Sequence, residues 1–209
     1  MILITPLFIV FEGIDGSGKT TLSRMLFDNL KSSSHDVVWF REPGDSKWGR
    51  KIRELAQLKD RIPIQEELAY FIEDRKMNVK KNIIPALKQK RVVILDRYFY
   101  STACYQGARG LDMEAILKTN RAFAPEPDCT FIIDIDVQTA LERIQRSRTK
   151  SARLFEKASF LTKVRENYLR LRGTHIHILE GNRLPQSIFK DIIQILDSDS
   201  YNSVKKTNI

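Results

Sequence analysis

The residues best suited to chemistry lie in a glycine-rich segment near the start of the 209-residue chain. Gly13 opens the pattern G-x-x-x-x-G-K-[ST], which continues through Gly18 and Lys19 to Thr20. Glycines at these positions let backbone N–H groups turn inward around phosphate oxygens, and a helix that starts there adds its positive end. At this spacing the lysine reaches the β- and γ-phosphates and the threonine hydroxyl ligates Mg²⁺. We predict that nucleotide phosphates bind here, at Gly13, Asp15, Gly16, Ser17, Gly18, Lys19, Thr20 and Thr21.

A second chemical signal follows the apolar run Val92–Leu95, which ends in Asp96 and Arg97. In isolation such a pair is equally well explained as a surface ion pair at a strand end. In a chain that also carries a phosphate loop, the acid can hold Mg²⁺ directly or through water. We therefore predict Thr20 and Asp96 as metal ligands. Arg97 would then face the phosphates and act with Lys19 in catalysis.

The elements that must position these groups can be read from hydrophobic spacing. Near-continuous apolar runs predict buried strands at Leu7–Phe11, Val37–Phe40, Val92–Leu95, Thr130–Ile135 and His175–Leu179. Apolar residues at helical spacing predict helices at Thr20–Leu30, Gly49–Leu58, Ile64–Leu87, Met113–Phe123, Val137–Arg146, Ser159–Leu171 and Ser187–Leu196. The alternation predicts an α/β fold, a doubly wound five-stranded parallel sheet flanked by helices, in which ligands bind at the carboxyl ends of the strands. We expect one domain over residues 1–209, with a disordered tail from residue 197.

Composition narrows the class of protein. The chain is 42% hydrophobic and 29% charged, the balance of a soluble globular protein, and no apolar run approaches the length that spans a bilayer. The apolar segment MILITPLFIVF is interpreted as a buried strand, not a signal peptide, because it lacks a basic start and a cleavage site. With two cysteines, Cys104 and Cys129, a disulfide framework is not expected, which favours a reducing cytoplasm. The net charge of +9 favours anionic partners, which include both nucleotides and nucleic acid.

Three motifs together resemble one family. The segments FEGIDGSGKTT (residues 11–21), REPG (41–44) and DRY followed by ACYQG (96–98 and 103–107) are similar in order and spacing to those of thymidylate kinases, over about Leu7 to Leu196. The resemblance implies a P-loop NTPase fold and transfer of the γ-phosphoryl of ATP to dTMP, giving dTDP and ADP in dTTP biosynthesis. It also implies Mg²⁺ as cofactor, a cytoplasmic homodimer, and no nucleic-acid or membrane partner.

The same resemblance assigns the phosphate end of the acceptor site. Arg41 and Arg97 would grip the acceptor phosphate, because two guanidinium forks suit a phosphate dianion. Arg53 matches a residue near the dTMP pocket. Asp15 matches the loop acid that meets the 3′-hydroxyl region.

The base and sugar end is assigned in the same way. Phe71 would stack on thymine and Arg75 would bond its carbonyl edge. Thr102 and Gln106 match positions beside the base, where the Gln106 amide can pair with N3–H and a carbonyl together. Tyr105 would press on the sugar where a 2′-hydroxyl would sit. Without the family, Phe71 is better explained as a core residue, Arg75 as a solvated helix charge and Tyr105 as sheet packing.

A basic cluster supplies the remaining candidates. Residues 143–153 contain no acid and five basic residues, Arg143, Arg146, Arg148, Lys150 and Arg153. The resemblance implies a mobile lid here, over about residues 143–156. Some relatives place an arginine in the phosphate loop, but Gly16 stands there in this chain, so the lid must supply the charge. Arg153 is the first catalytic candidate and Arg148 the second, whereas Arg143 and Arg146 are equally well explained as a solvated helix face.

Two other functions stay open at this point. One is a kinase for another deoxynucleotide or a nucleoside, because the REPG segment is followed by Asp45, where many relatives have a second glycine. The other is a nucleic-acid-binding protein that ATP regulates, which the net charge allows.

Overall fold

The computed structural model describes residues 6–56, 62–147 and 154–198. Within these ranges the strands are β1 (Leu7–Glu12), β2 (Val37–Arg41), β3 (Val92–Asp96), β4 (Cys129–Asp134) and β5 (Ile176–Glu180). They form one sheet in the order β2-β3-β1-β4-β5, and every neighbouring pair is parallel. The prediction of a five-stranded parallel α/β sheet is therefore confirmed.

Helices connect the strands and cover the sheet. Their bounds are α1 (Lys19–Ser32), α2 (Lys47–Leu55), α3 (Ile64–Asn78), α4 (Ile84–Lys88), α5 (Phe99–Gly107), α6 (Met113–Arg121), α7 (Val137–Ser147), α8 (Leu154–Arg170) and α9 (Pro185–Asp197). The helix predicted over Ile64–Leu87 is thus interrupted. A π-helical segment, Val79–Ile83, separates α3 from α4, which has Pro85 in its first turn. Proline has no N–H and its ring crowds the preceding turn, so a wider turn before it relieves the clash.

The sheet separates two hydrophobic clusters. Phe8 and Val10 of β1 join the cluster that includes α5, whereas Leu7, Ile9 and Phe11 point to the opposite face and pack with residues of α1 and α9. Successive side chains on a strand alternate between faces, so a strand covered on both sides must be apolar at nearly every position. This explains why the central strands read as continuous apolar runs.

Helix α5 was not predicted. All of its residues except Tyr105 and Gly107 are buried. A helix enclosed on every side has no polar face, and so it lacks the amphipathic spacing by which helices are recognised in a sequence. Its position matters because it follows Arg97 directly.

The register brings the chemical motifs to one edge. Arg41 of β2 and Phe11 of β1 are each paired with Asp96 of β3, at the carboxyl ends of three adjacent strands. The glycine-rich loop leaves β1 at this same edge. The tail predicted from residue 197 begins at the last residue of α9, and residues 199–209 lie outside the described ranges.

Candidate active site

The phosphate loop depends on glycine at two of its positions. Gly13 has φ +140°, and a Cβ added there would lie 2.6 Å from the Ile133 carbonyl oxygen of β4. Gly16 has φ +84°, and its Cβ would lie 2.5 Å from the Ala140 carbonyl oxygen of α7. A larger residue at either position would be strained and would collide with backbone. The absence of an arginine from this loop is therefore consistent with the close approach of α7.

Lys19 lies at the start of α1 and is 6% exposed. Its ammonium donates a hydrogen bond to the Ile14 carbonyl oxygen at 3.1 Å, inside the loop. Burial and then the nearby positive charge of Arg97 lower the pKa of Lys19 from 10.5 to about 8, against the opposing effect of Asp15 and Asp96. The loop therefore holds a largely desolvated cation that, among the residues described, forms no ion pair, a state that a bound phosphate would relieve.

This depressed pKa predicts how nucleotide affinity depends on pH. Phosphate binding favours the charged form, so it raises the pKa of Lys19 from its free value of about 8. Below that pH the lysine is already protonated and affinity is constant. Above that pH, Lys19 must take up a proton each time a nucleotide binds, so the association constant falls by up to about tenfold per pH unit. Titration calorimetry with Mg-ATP from about pH 7 to about pH 9.5 measures this slope.

The matched ligand is adenosine, which has no phosphates and should bind equally across the same range. A variant with Lys19→Arg is a second control, because guanidinium does not titrate in this range. Affinity for Mg-ATP that stays level through about pH 9 in the wild-type chain would contradict the proposed contact between Lys19 and phosphate.

Two side chains meet at a position suited to a hard cation. The Thr20 hydroxyl donates to Asp96 Oδ2 at 2.6 Å. Asp96 is 1% exposed, and its Oδ1 has no hydrogen-bond partner among the residues described; the same holds for the buried Ser17 Oγ. Oxygen donors of this kind fit Mg²⁺, which usually takes one or two protein ligands and completes its shell with phosphate and water. Within the described part of the chain, no group of three or more His, Cys, Asp or Glu side chains is arranged to hold a metal by itself.

Arg97 has an unusual backbone and a dense set of partners. Its φ of 71° lies in the left-handed region, which costs a non-glycine residue of the order of 1–2 kcal/mol. Its guanidinium donates to Asp15 Oδ1 at 2.5 Å and to Ser101 Oγ at 2.9 Å, and its carbon lies 5.2 Å from the centre of the Tyr105 ring. Strain that is held by surrounding contacts is a mark of functional positions. The side chain is still 15% exposed and so faces the cleft.

Sequence reasoning did not single out Glu12, which supports this arginine. The Glu12 carboxylate is fully buried and accepts hydrogen bonds from the backbone N–H groups of Tyr98 and Ser101 at 2.8 and 3.0 Å. It also accepts from the hydroxyls of Ser101 at 2.5 Å and Tyr168 at 2.9 Å. Burial raises the pKa of Glu12, while these donors lower it. Glu12 thus holds the start of α5 and the serine that contacts Arg97; the available signal was a lone carboxylate ending an apolar strand.

The end of β2 and helix α2 carry two predicted acceptor-site arginines, Arg41 for the phosphate and Arg53 near the dTMP pocket. Arg41 is largely exposed, with its Nε 4.0 Å from Asp96 Oδ2. Arg53 Nη1 donates to the carbonyl oxygens of Pro43 and Gly44 at 3.0 and 2.7 Å. Arg41, at the end of β2, and Arg53, on α2, therefore flank one compact loop, and Arg41 lies beside Asp96.

Asp74 of α3 holds that loop and was also missed. Its carboxylate accepts from the Gly44 N–H at 2.7 Å and from the Ser46 hydroxyl at 2.6 Å. Asp45, which departs from the resemblance at the position of a second glycine, points outward and contacts Arg53 at 3.5 Å. The loop is therefore fixed by α3 whether or not a second glycine follows Gly44.

Arg75 is 1% exposed, so it is not a solvated helix charge. Its guanidinium donates to Glu42 at 2.9 Å, to Asn120 at 2.7 Å and to Thr102 at 3.0 Å. Burial raises the pKa of Glu42, while Arg75 lowers it. Through this pair, α3 is joined to the loop of Arg41 and to α5 and α6. Glu42 and Asn120 are further residues that sequence reasoning did not assign.

The other predicted base residues lie on α3 and α5. Phe71 is half-buried and, among the described hydrophobic residues, belongs to neither core cluster nor to the set packed against one. Tyr105 is also half-buried, and its hydroxyl accepts a hydrogen bond from the Asp15 N–H at 3.0 Å. Thr102 and Gln106 are buried, at 3% and 2% exposed. Gln106 contacts Glu67 and Arg109, which sequence reasoning did not assign.

The lid candidates fall largely outside the described ranges. Arg148 and Arg153 lie there, and nothing is described of the Arg146 side chain. Arg143 is described: its Nη2 donates to the Gly181 carbonyl oxygen at 3.3 Å, and its Nη1 would lie 4.0 Å from a Cβ added to Gly18. Arg143, a member of the basic cluster, thus lies beside the phosphate loop. Thr21 lies on the first turn of α1 and is exposed.

Known proteins match this chain over nearly its whole length. A family model described as thymidylate kinase matches residues 11–192. A probable thymidylate kinase of Archaeoglobus fulgidus is 35% identical over 192 residues, covering 92% of this chain and 95% of the relative. A thymidylate kinase of Desulfotalea psychrophila is 40% identical over 185 residues, covering 88% and 91%. A probable thymidylate kinase of Pyrococcus horikoshii is 42% identical over 197 residues, covering 90% and 95%.

Proposed function

The chain belongs to the thymidylate kinase family, and from that premise we infer that it transfers the γ-phosphoryl of ATP to dTMP, forming dTDP and ADP. It is an ATP-dependent nucleoside monophosphate kinase. The observation that carries the assignment is the meeting of two phosphate-binding segments at one carboxylate. Asp96 contacts Thr20 of the ATP loop at 2.6 Å, and Arg41 of the acceptor loop lies 4.0 Å away. Family membership does not favour another acceptor or a nucleic-acid-binding function.

The reaction requires positioning and charge neutralisation. An oxygen of the dTMP phosphate attacks the γ-phosphorus, and the bond from that phosphorus to the β–γ bridging oxygen breaks, leaving ADP. The attacking oxygen is already ionised, so no general base is needed. Lys19 would hold the β- and γ-phosphates, and Arg41 and Arg97 would hold the acceptor phosphate in line.

Thr20 and Asp96 would hold Mg²⁺, and the unpartnered Asp96 Oδ1 supports this proposal. A bound Mg²⁺ neutralises charge on the β- and γ-phosphate oxygens. The remaining loop residues, Gly13 to Thr21, would surround the ATP phosphates with backbone N–H groups.

The acceptor nucleoside would lie between α3 and α5. Phe71 would stack on thymine, with Arg75, Thr102 and Gln106 at its polar edge; the position of Phe71 outside the core clusters supports this. Tyr105 would exclude a 2′-hydroxyl. Asp15 would meet the 3′-hydroxyl region, and Arg53 would lie near the dTMP pocket, where it holds the Pro43 and Gly44 carbonyl oxygens.

A cation from the basic cluster would cover the transferring phosphoryl. Arg153 and then Arg148 remain the proposed residues. The closeness of Arg143 to Gly18 supports a role for this part of the chain. One such arginine contributes roughly a thousandfold or more in related phosphoryl transfers.

The wider setting is also a proposal. We expect one domain and a homodimer, on family resemblance, and a cytoplasmic location, which the buried thiols of Cys104 and Cys129 support. Across the described ranges, no helix is both long and apolar enough to cross a membrane. Light scattering at several protein concentrations would measure the oligomeric state.

Product analysis tests the proposed reaction. Incubation with Mg-ATP and dTMP should give ADP and dTDP in equal amounts by chromatography. Formation of ADP without dTDP would indicate an ATPase and contradict the transfer. The matched incubation without dTMP sets the background of ATP hydrolysis, which should be far slower.

A further inference from the structure

A glutamine that reads a pyrimidine base is chemically ambiguous. Its amide offers an acceptor oxygen and a donor nitrogen of nearly equal size, and rotation by half a turn exchanges them. In one orientation the oxygen accepts thymine N3–H while the nitrogen donates to a ring carbonyl. In the other, the nitrogen donates to cytosine N3 while the oxygen accepts from its amino group. Gln106 alone would therefore not separate thymine from cytosine.

Two charged residues contact opposite ends of the Gln106 amide. Its Nε2 donates to Glu67 Oε1 at 3.1 Å, and its Oε1 accepts from Arg109 Nη1 at 3.3 Å. Glu67 lies on α3, one helical turn before Phe71, and Arg109 follows the end of α5. The two charges are also joined directly, with Arg109 Nη1 2.5 Å from Glu67 Oε2. The amide thus lies within a closed triangle of contacts that joins α3 to α5 and to Arg109 just beyond it.

The chemistry of this triangle permits one amide orientation. An ionised carboxylate only accepts hydrogen bonds and a guanidinium only donates them. If the amide were reversed, its oxygen would face the Glu67 carboxylate and its nitrogen would face the Arg109 guanidinium, so two contacts would become repulsive. Gln106 is 2% exposed, and so water cannot compensate. The orientation follows from the charges of its neighbours.

We propose that Glu67 and Arg109 are positioning residues that lock Gln106 in the thymine-reading orientation and so set base selectivity without touching the base. This inference rests on the proposed function, in which Gln106 meets the pyrimidine edge. Both polar atoms of the Gln106 amide can form one more hydrogen bond, because Nε2 has a second hydrogen and Oε1 has a second lone pair. In the locked orientation these match a ring carbonyl and N3–H, and they oppose the reversed pattern of cytosine.

A charge exchange tests the lock. The double variant Glu67→Arg with Arg109→Glu keeps an ion pair but reverses which end of the amide each charge faces. The acceptors are dTMP and 5-methyl-dCMP, which differ only at the N3 and C4 edge. We expect the ratio of their kcat/KM values to fall by about a hundredfold in the exchange variant, and by about tenfold in Glu67→Gln, whose amide accommodates either orientation.

The controls separate three results. Exchange of Glu73 and Lys76, an exposed ion pair on the same helix, should leave the ratio unchanged. A wild-type chain that does not phosphorylate dTMP would overturn the proposed function. If the wild-type chain phosphorylates dTMP, an unchanged ratio of the two kcat/KM values in Glu67→Gln or in a folded exchange variant would overturn the proposed lock. This holds even if a variant loses activity equally with both acceptors. Thermal unfolding of each variant identifies folded protein, and Glu67→Gln decides if the exchange variant does not fold.

Discussion

Replacement of Arg97 by alanine is expected to lower kcat/KM for dTMP by about a thousandfold. Its guanidinium is fixed by Asp15 and Ser101 in a strained backbone conformation, so it is oriented before substrate binds. A group held in advance stabilises developing charge without reorganising, which is where electrostatic catalysis gains most. Arg97→Lys should recover only part of the rate, because lysine retains the charge but loses the fork that binds two phosphate oxygens. Steady-state kinetics with varied dTMP measures both variants.

The matched control is Arg91, just before the other end of β3. Arg91 forms an ion pair with Asp36 at the surface, far along the strand from the phosphate loop. Arg91→Ala should change kcat/KM less than twofold, roughly, because exposed ion pairs contribute little. Equal losses in the two variants would show that Arg97 acts on the fold, and near-normal activity of Arg97→Ala would remove it from the mechanism.

Replacement of Asp96 by asparagine is expected to lower kcat by about a hundredfold to a thousandfold at a fixed, low Mg²⁺ concentration. The substitution keeps the shape of the side chain and removes the charge that would hold the metal beside Thr20. Part of the lost activity should be recovered when the Mg²⁺ or Mn²⁺ concentration is raised, because a variant that binds the metal more weakly needs a higher metal concentration for the same occupancy. Activity measured against metal concentration gives this shift.

The same variant makes a prediction about stability. Asp96 Oδ1 is buried and has no hydrogen-bond partner in the described chain, and burying such an unpartnered polar atom costs folding free energy. Asp96→Asn should therefore unfold at the same temperature as the wild-type chain or higher, as is typical when a functional site is relieved of an uncompensated group. Asp36→Asn, at the start of β2, is the control and should not alter the metal requirement. Loss of activity that metal does not recover would contradict a metal-binding role.

Glu12, Glu42 and Asp74 show which parts of the site were hidden from the sequence. Each lies beside a recognisable motif, yet each acts through a contact with a distant element: Glu12 with α5, Glu42 with Arg75, and Asp74 with Gly44. Motif spacing identifies residues that meet ligands, because ligand geometry constrains local sequence. Residues that fix other residues are constrained only by the folded arrangement.

The central strands of the sheet could be predicted from the sequence more readily than the enclosed helix α5. The apolar runs of β1, β3 and β4 identified the strands because burial on both faces allows little else. The same burial concealed α5, whose lack of a polar face removed the helical period. The resemblance could propose Arg75 as a residue of the base site, whereas the Glu67–Arg109 pair beside Gln106 required the structure.

The phosphate loop also explains why charge must come from elsewhere in the chain. Gly16 lies so close to the Ala140 carbonyl oxygen of α7 that an arginine there would displace the helix. The helix responsible leads directly into the basic cluster, and its Arg143 lies beside Gly18. This arrangement supports the proposal that cations of the basic cluster take the place of an arginine in the loop.

The most direct test of dTMP kinase activity is the specificity constant for a panel of acceptors under one Mg-ATP concentration: dTMP, dUMP, dCMP, dGMP, UMP and thymidine. We expect dTMP to be strongly preferred, dUMP to be weaker because it lacks the 5-methyl group, and UMP to be nearly inactive because Tyr105 excludes the 2′-hydroxyl. Thymidine should fail because it brings no phosphate to Arg41 and Arg97. A different preferred acceptor would contradict the base-site assignments of Phe71, Arg75 and Gln106, and no turnover with any acceptor would contradict the kinase assignment.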